Sequence, residues 1–323
     1  RKRHTDRSPT RPAFNPGVTR HMTLPDFARL ILLSAIWGGS FLFLRIAAPE
    51  FGPIPLIWTR VAGAVLVLSP LLASKRVRRE LRENIGHLLI VGIFNAVIPW
   101  TLLAHAVLSL EAGFTSLLNA ATPIFAALIG LVWLRRPLTS WQVLGLILGV
   151  SGVAILAGDQ LSFRPGGSGW AILAGLAAAA SYGFISHYTT RYLGGVSTRS
   201  LVMGNLITAT ILLTPMAFLT LPDSVPSWPS IWSAAGLALL STAVAFVLLF
   251  QILSRAGATA TTTVTFIIPV FAVLFGALVL DEKVTLRIGL GMLTVFAGAA
   301  LTTKLFPKKA NASTPESNGS PDR

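Results

Sequence analysis

Ten long apolar runs, separated by short polar segments, make up most of this 323-residue chain. Each run has about 20 residues, the length at which an α-helix crosses a hydrocarbon core of about 30 Å. They predict ten membrane-spanning helices at residues 28–48, 54–73, 86–109, 113–134, 139–158, 168–188, 198–219, 230–253, 258–280 and 285–305. Because backbone groups in lipid must be satisfied within a helix or a closed barrel, the expected fold class is an all-α membrane protein.

One stretch of the chain occurs twice. The segment from Ala112 to Ile155 matches Ala258 to Leu301 at one constant offset and without a gap. The identities that carry the match pair Thr115 with Thr261, Pro123 with Pro269, Thr139 with Thr285, Gly145 with Gly291 and Gly152 with Gly298. The chain is therefore predicted to be a duplication, an arrangement that is common among membrane transporters.

The composition supports a membrane protein and excludes several kinds of site. The chain is 53% hydrophobic and only 12% charged, with a mean hydropathy of +0.70, and a soluble protein needs far more charge on its surface. It contains no cysteine, which excludes disulfides, thiolate metal sites and cysteine nucleophiles.

The charged residues predict an orientation in the membrane. The basic loop residues are Lys75, Arg76, Arg78, Arg79, Arg82, Arg135, Arg136, Arg191, Arg199 and Arg255. If both termini are cytoplasmic, all of these lie on the cytoplasmic side, as the positive-inside rule requires. The net charge of +14 then reflects membrane orientation, so we expect no nucleic-acid partner. The predicted location is the bacterial inner membrane, with multiple passes.

The two copies are predicted to have opposite orientations, because five spans in each copy is an odd number. Residues 28–158 form the first predicted repeat and residues 168–305 the second. Charge is inverted between matching loops, since Arg135-Arg136 corresponds to Asp281-Glu282. The expected architecture is ten transmembrane helices arranged as two inverted five-helix repeats.

The two ends of the chain are polar. Residues 1–27 are predicted to be a disordered basic segment and residues 306–323 a disordered cytoplasmic tail. Met22 directly precedes the first span and position 1 is not Met. Whether residues 1–21 belong to the native protein is left open.

Several motifs resemble one transporter family. These are Ala35-Ile-Trp-Gly-Gly-Ser-Phe41 in the first span, Arg60 in the second, and two Pro-x-Phe helices, each followed by a short turn and a Gly-rich helix. They resemble the EamA-type proteins of the drug/metabolite transporter superfamily, from residue 28 to residue 305. The resemblance implies inverted repeats around a central cavity and export of amino acids, other metabolites or drugs. The chain departs from the pattern at Tyr182-Gly183 and at Arg135-Arg136.

Polar and aromatic residues within the spans are the candidate substrate-binding residues, because such groups are costly in lipid and often functional. They are Trp37, Arg60, Asn95, Trp100, Asn119, Tyr182 and Ser241. An anionic substrate group could meet Arg60, and an apolar or aromatic part could meet the rings. The alternatives are hydrogen bonds between helices for the polar groups, snorkelling to the interface for Arg60 and a tight helix crossing at Trp37-Gly38-Gly39.

Prolines and glycines carry the remaining predictions. Pro123 and Pro269 are expected to kink their helices at matched sites. The stripe of Gly145, Gly149, Gly152, Gly291 and Gly298 predicts close helix packing, either between the repeats or in a homodimer. His105 is the one histidine deep enough in a span to be a candidate for proton coupling.

The sequence predicts a transporter and not an enzyme. No Asp or Glu lies within a span, and the chain shows no Walker motif, metal-binding cluster or nucleophile triad, so we expect no cofactor and no metal. The predicted function is inner-membrane secondary export of small metabolites, such as amino acids, by alternating access. The alternatives are export of drugs or other organic solutes, and a non-transport integral membrane protein.

Overall fold

The structure is a computed structural model that describes residues 23–158, 161–164 and 166–303, without the side chains of residues 256–262. The described residues form α-helices joined by short turns, with one 3₁₀-helix at Ser69–Ala73 and two π-helices at Ile93–Val97 and Leu239–Val244. The α-helices are α1 (Leu24–Phe51), α2 (Pro53–Leu68), α3 (Lys75–Glu83), α4 (Ile85–Gly92), α5 (Ile98–Ala106), α6 (Ala112–Asn119), α7 (Thr122–Leu134), α8 (Ser140–Ala157), α9 (Gly169–Tyr192), α10 (Thr198–Leu219), α11 (Trp228–Ala238), α12 (Ala245–Leu280) and α13 (Leu286–Thr302).

Nine helical stretches in the described residues are long and apolar enough to cross a membrane. They are Leu24–Phe51, Pro53–Ala73, Ile85–Ala106, Ala112–Leu134, Ser140–Ala157, Gly169–Tyr192, Thr198–Leu219, Trp228–Arg255 and Thr263–Leu280. The tenth predicted span corresponds to α13, an apolar helix that is somewhat shorter. The protein is therefore a multi-pass membrane protein, and the ten-span topology remains a prediction.

The first helix begins earlier than predicted. Residues 1–27 were expected to be disordered, but α1 starts at Leu24. Pro25 lies in the first turn, where its missing N–H costs nothing. The Thr23 hydroxyl donates to Asp26 over 2.6 Å, and Arg29 pairs with the same carboxylate at 2.9 Å. These contacts explain the early start, while residues 1–22 and 304–323 lie outside the described chain.

The basic segment after the second span is a helix and not only a loop. α3 contains all four of its arginines, and the hydroxyl of its N-cap residue Ser74 accepts from the Val77 N–H. Arg76 and Arg79 pair with Glu80 and Glu83 one turn later. Such i,i+4 pairs stabilise a helix. From the sequence, these basic residues were expected to lie in a loop.

The predicted break between the eighth and ninth spans is absent from the backbone. α12 runs without interruption from Ala245 to Leu280, whereas the matching part of the first copy is interrupted by a turn before α6. A helix of 36 residues is about 54 Å long at 1.5 Å per residue, so it exceeds one membrane crossing.

Matched backbone features support the duplication seen in the sequence. The two π-helices occupy corresponding positions in the two copies. Thr139 and Thr285, which correspond in sequence, are the N-cap residues of α8 and α13, and each accepts a hydrogen bond from the first turn. The fine structure of the helices is therefore repeated along with the apolar pattern.

The same correspondence occurs at two left-handed residues. α7 ends at Arg135, with φ of 50°, and α12 ends at Asp281, with φ of 55°. In each copy the next residue donates its N–H to a glycine carbonyl, that of Gly130 or Gly276. Left-handed backbone is unfavourable for residues other than glycine. Two matched cases therefore show that both copies build the same turn despite opposite charges.

The glycine stripe lies in the contact between α8 and α13, the most extensive helix pair in the described chain. A Cβ on Gly145 would lie 2.7 Å from the carbonyl oxygen of Gly298, and a Cβ on Gly152 would lie 2.8 Å from the Val295 nitrogen. These glycines thus allow close helix packing within one chain, between the last helices of the two predicted repeats. A homodimer would need another surface.

The two matched prolines have different surroundings. Pro123 lies in the first turn of α7, just after the break that separates α6 from α7. Pro269 lies inside the unbroken α12. The expected interruption is therefore present beside Pro123, while at Pro269 the helix continues.

Candidate functional site

The guanidinium of Arg60 is the most deeply buried charge within a predicted span. Arg60 lies on α2 and is 6% exposed. Its Nε donates to the Thr242 hydroxyl over 2.9 Å, and its Cζ lies 3.9 Å from the centre of the Trp100 ring. Among the described residues, no carboxylate is within ion-pair distance of it. Arg60 is therefore not an interfacial residue that snorkels to water.

The second π-helix presents Thr242 to Arg60. The Thr242 hydroxyl donates to the carbonyl of Leu237, five residues earlier, over 2.8 Å. That bond uses the hydroxyl proton, so the oxygen is left to accept from Arg60. Thr242 is fully buried. A π-helix is uncommon and is often found at functional sites, and here it fixes the partner of the buried charge.

Trp37 binds the same π-helix from α1. Its indole Nε1 donates to the carbonyl oxygen of Ser241 over 3.2 Å, and the Ser241 hydroxyl donates to the carbonyl of Ile36 over 3.4 Å. The neighbouring Gly38 is a tight crossing point, because a Cβ there would lie 2.5 Å from the Cβ of Phe271. Trp37 therefore binds the π-helix that carries Thr242, and Gly38 lies in the packing between α1 and α12.

The first π-helix makes the corresponding contact with α9, a helix of the second copy. The Ser181 hydroxyl on α9 donates to the carbonyl of Phe94 over 2.7 Å. Thus α1 binds the π-helix of the second copy and α9 binds the π-helix of the first. Sequence reasoning missed Ser181. Its position next to Tyr182, the counterpart of Trp37 in the second copy, was the available signal.

Five of the seven predicted substrate-binding residues are connected through Arg60 and the second π-helix, and they form the Arg60 group: Arg60, Trp100, Tyr182, Trp37 and Ser241. Arg60 stacks on Trp100, and Trp37 binds Ser241, the residue before Thr242. Tyr182 is half-buried and packs against the apolar cluster that contains Trp100. These side chains come from α1, α2, α5, α9 and the second π-helix, so both copies contribute to the group.

Two predicted residues are not joined to this group by any hydrogen bond in the described chain. Asn95 lies within the first π-helix and is half-buried. Asn119 ends α6, and its buried Oδ1 has no partner in the described protein. Asn205, on α10, is 1% exposed, and neither of its amide atoms has a partner among the described residues. Such groups are costly in an apolar interior.

His105 does not belong to the group. It lies near the end of α5 and is exposed, so the one histidine predicted for proton coupling lies away from the buried charge. The described residues also contain no group of three or more His, Asp or Glu side chains that could hold a metal ion.

Known proteins share this chain's pattern along its length. The model of the EamA-like transporter family matches residues 28–158 and 169–304. The uncharacterized transporter YoaV of Bacillus subtilis is 23% identical over 87% of this chain and 97% of its own. The uncharacterized inner membrane transporter YedA of Escherichia coli is 25% identical over 88% and 94%.

Two further relatives bear on function and fold. A protein named as a probable terminal-alkyne amino-acid exporter, from Streptantibioticus cattleyicolor, is 24% identical over 88% of this chain and 96% of its own. One solved crystal structure of a protein matches with a TM-score of 0.59 at 17% identity and covers 87% of this chain and 98% of that one. The structural likeness concerns the fold. Together with the two matches of the family model, these findings show that the chain belongs to the EamA-like transporter family and is a membrane transporter, not an enzyme.

Proposed function

We propose that this protein exports small metabolites that carry a carboxylate, with amino acids as the first candidates, by alternating access of two inverted five-helix repeats. The observation that carries the proposal is the Arg60 guanidinium, which is buried with a neutral hydroxyl and an aromatic ring as its described partners. A buried charge that lacks an opposite charge is costly. A substrate carboxylate would supply that charge.

The chemistry of the surrounding side chains suits a molecule with one anionic end. A guanidinium presents five donors in a planar fork that matches a carboxylate, and the Thr242 contact uses only Nε. Trp100 and Tyr182 provide apolar and aromatic surface beside it. An amino acid offers both a carboxylate and a side chain for these walls.

The burial of the group favours alternating access over a channel. Arg60 and Trp100 are 6% and 7% exposed, and Thr242 is fully buried. A substrate can reach the guanidinium only after helices from the two copies separate. In a channel, an open path would lead to the site from both faces.

Two further observations support the proposal. One relative is named as a probable amino-acid exporter, which favours a carboxylate substrate. By the positive-inside rule, the basic loops favour a cytoplasmic location for both termini and for α3. We propose that α3 marks the face at which substrate is loaded.

Solute counterflow into proteoliposomes tests the proposed function. Each of a panel of labelled amino acids is compared with the amine that remains when its carboxylate is removed. We expect saturable uptake of at least one amino acid and no uptake of its amine. Arg60→Met should abolish this uptake, and Arg60→Lys should keep part of it, because lysine keeps the charge without the fork.

Two results would contradict the proposal. Equal uptake of the amine and the amino acid would show that the carboxylate is not recognised. Uptake of organic cations that persists in Arg60→Met would favour export of drugs or other organic solutes. Thermal unfolding of each variant in detergent serves as the folding control.

A further inference from the structure

Two helices of the second copy begin with the same pair of serines. α10 starts at the N-cap Ser197 and α11 at the N-cap Ser227, and each has a second serine, Ser200 or Ser230, three residues later. A capping box needs Glu or Gln at that later position to accept the N–H of the N-cap residue. In both helices, a glutamate of the first copy accepts the N–H of the N-cap residue instead.

Glu80 of α3 completes the cap of α10. Its Oε2 accepts from the Ser197 N–H at 3.0 Å, the Ser197 hydroxyl at 2.6 Å and the Ser200 hydroxyl at 2.7 Å. Arg76 donates to Oε1 at 2.6 Å, and Glu80 is 7% exposed. Burial raises the pKa of Glu80, but the bonds from Ser197, Arg76 and Ser200 outweigh it and lower the pKa to about 2.

Glu50, at the end of α1, completes the cap of α11. It accepts from the Ser227 N–H at 2.5 Å and from the Ser227 hydroxyl at 2.7 Å. The hydroxyl of Ser230 donates to the carbonyl of Ile46 on the same helix as Glu50. Glu50 is exposed, so water competes with these bonds. This clamp is therefore weaker than the one at Glu80.

The two clamps lie at opposite ends of one membrane-crossing stretch. Glu50 precedes Pro53–Ala73 and Glu80 follows it, and 21 residues of helix span about 31 Å. Arg60 lies between these ends, on α2. Each clamp joins the first copy to the second, so each can hold the copies together at one face while the other face opens.

We propose that the Glu80 clamp (Glu80, Ser197, Ser200) and the Glu50 clamp (Glu50, Ser227, Ser230) are the two gates of the transport cycle, released in turn. This inference rests on the proposed alternating access. Because the Glu80 clamp is buried and has more donors, the resting protein keeps the face with α3 closed. Loss of the Glu80 carboxylate then shifts the protein toward opening at that face.

Site-directed thiol labelling tests this gating. The chain contains no cysteine, so Thr101→Cys gives a single reporter thiol on α5, one residue after Trp100. A membrane-impermeant maleimide is added to vesicles of known orientation, from one side or the other. We expect Glu80→Gln to speed labelling from the α3 face about tenfold, and Glu50→Gln to speed labelling from the opposite face by a smaller factor.

A matched control lies on the same helix. Glu83→Gln removes a carboxylate that is 61% exposed and makes only a long, 3.8 Å contact with Arg79. It should leave the labelling rates from both faces unchanged. If Glu80→Gln does not fold, Ser200→Ala removes one donor and should give the same face-specific change at smaller size.

Three outcomes would overturn the gating. They are unchanged labelling in folded Glu80→Gln, equal acceleration from both faces, and the same effect in Glu83→Gln. Equal acceleration would mean that the clamps are static helix caps whose loss loosens the whole protein. Labelling needs no substrate, so this experiment can fail while counterflow succeeds, and counterflow can fail while the gates are confirmed.

Discussion

The contact between α8 and α13 gives the sharpest test of the packing. Gly298→Ala adds one methyl group to α13 where the facing atoms are all backbone. The added Cβ would lie 2.6 Å from the carbonyl oxygen of Gly145, 2.6 Å from the Gly149 nitrogen and 2.8 Å from the Gly149 Cα. No flexible side chain can move aside, so the two helices must separate. A Cβ on Gly289, on the same helix, would meet no atom of another element within 4 Å in the described part of the chain.

The expected size of the effect follows from these distances. Forcing an extra methyl group into a packed interior costs about 1–3 kcal/mol. Replacing a helical glycine by alanine without a clash gains up to about 1 kcal/mol. The gain in helix propensity is common to both variants, so the difference between them is the cost of the clash. Gly298→Ala should therefore have a lower free energy of unfolding than Gly289→Ala by roughly 1–3 kcal/mol, and Gly289→Ala should equal or exceed the wild type.

Equilibrium unfolding in mixed micelles with increasing sodium dodecyl sulfate, followed by tryptophan fluorescence, measures this difference. Both variants are compared with the wild-type protein under one lipid and detergent composition. If Gly298→Ala proved as stable as Gly289→Ala, the close backbone contact between α8 and α13 would be wrong. The glycine stripe could then form a helix contact in a homodimer instead.

Three further predictions concern charged groups. Arg60→Met should change the free energy of unfolding by less than about 2 kcal/mol, because the lost hydrogen bond and ring contact are offset by removal of a buried charge. A much larger loss of stability in the micelle assay would show that Arg60 is a structural residue. Burial, and then the charge of Glu282, raise the pKa of Glu111, so the ionised form of Glu111 is unfavourable in the folded state. Glu111→Gln should therefore raise the melting temperature at pH 7 but not below about pH 4.5, where the carboxyl is protonated in both states. Hydrogen bonds lower the pKa of Glu80 from 4.5 to about 2 despite its burial, so its stabilisation is present above pH 4.5 and is lost toward pH 2. The stability difference between wild type and Glu80→Gln should shrink over that range, and a constant difference would refute the Glu80 cap.

The sequence predicted the parts of the fold that depend on local pattern. Apolar run length located the helices, because the bilayer fixes how long a crossing must be. The pairing of Thr139 with Thr285 correctly indicated matched helix starts, since an N-cap residue acts within its own first turn. The early start of α1 was missed, although Thr23, Pro25 and Asp26 form a local signal.

Contacts between distant parts of the chain could not be predicted from the sequence. Arg60 was correctly selected as a deep charge, but its partner Thr242 lies far along the chain. The trans caps at Ser197 and Ser227 were missed for the same reason, because a cap supplied by another segment leaves no local spacing to find. The π-helices also leave no apolar period of their own.

Equilibrium binding to the purified protein tests the central claim most directly. The labelled amino acid that shows counterflow is titrated into wild-type and Arg60→Met protein in detergent, with its decarboxylated amine as the control ligand. We predict saturable binding of the amino acid to the wild type, at least tenfold weaker binding to Arg60→Met, and no binding of the amine to either. Equal affinity of the two proteins for the amino acid would show that Arg60 does not hold the substrate carboxylate.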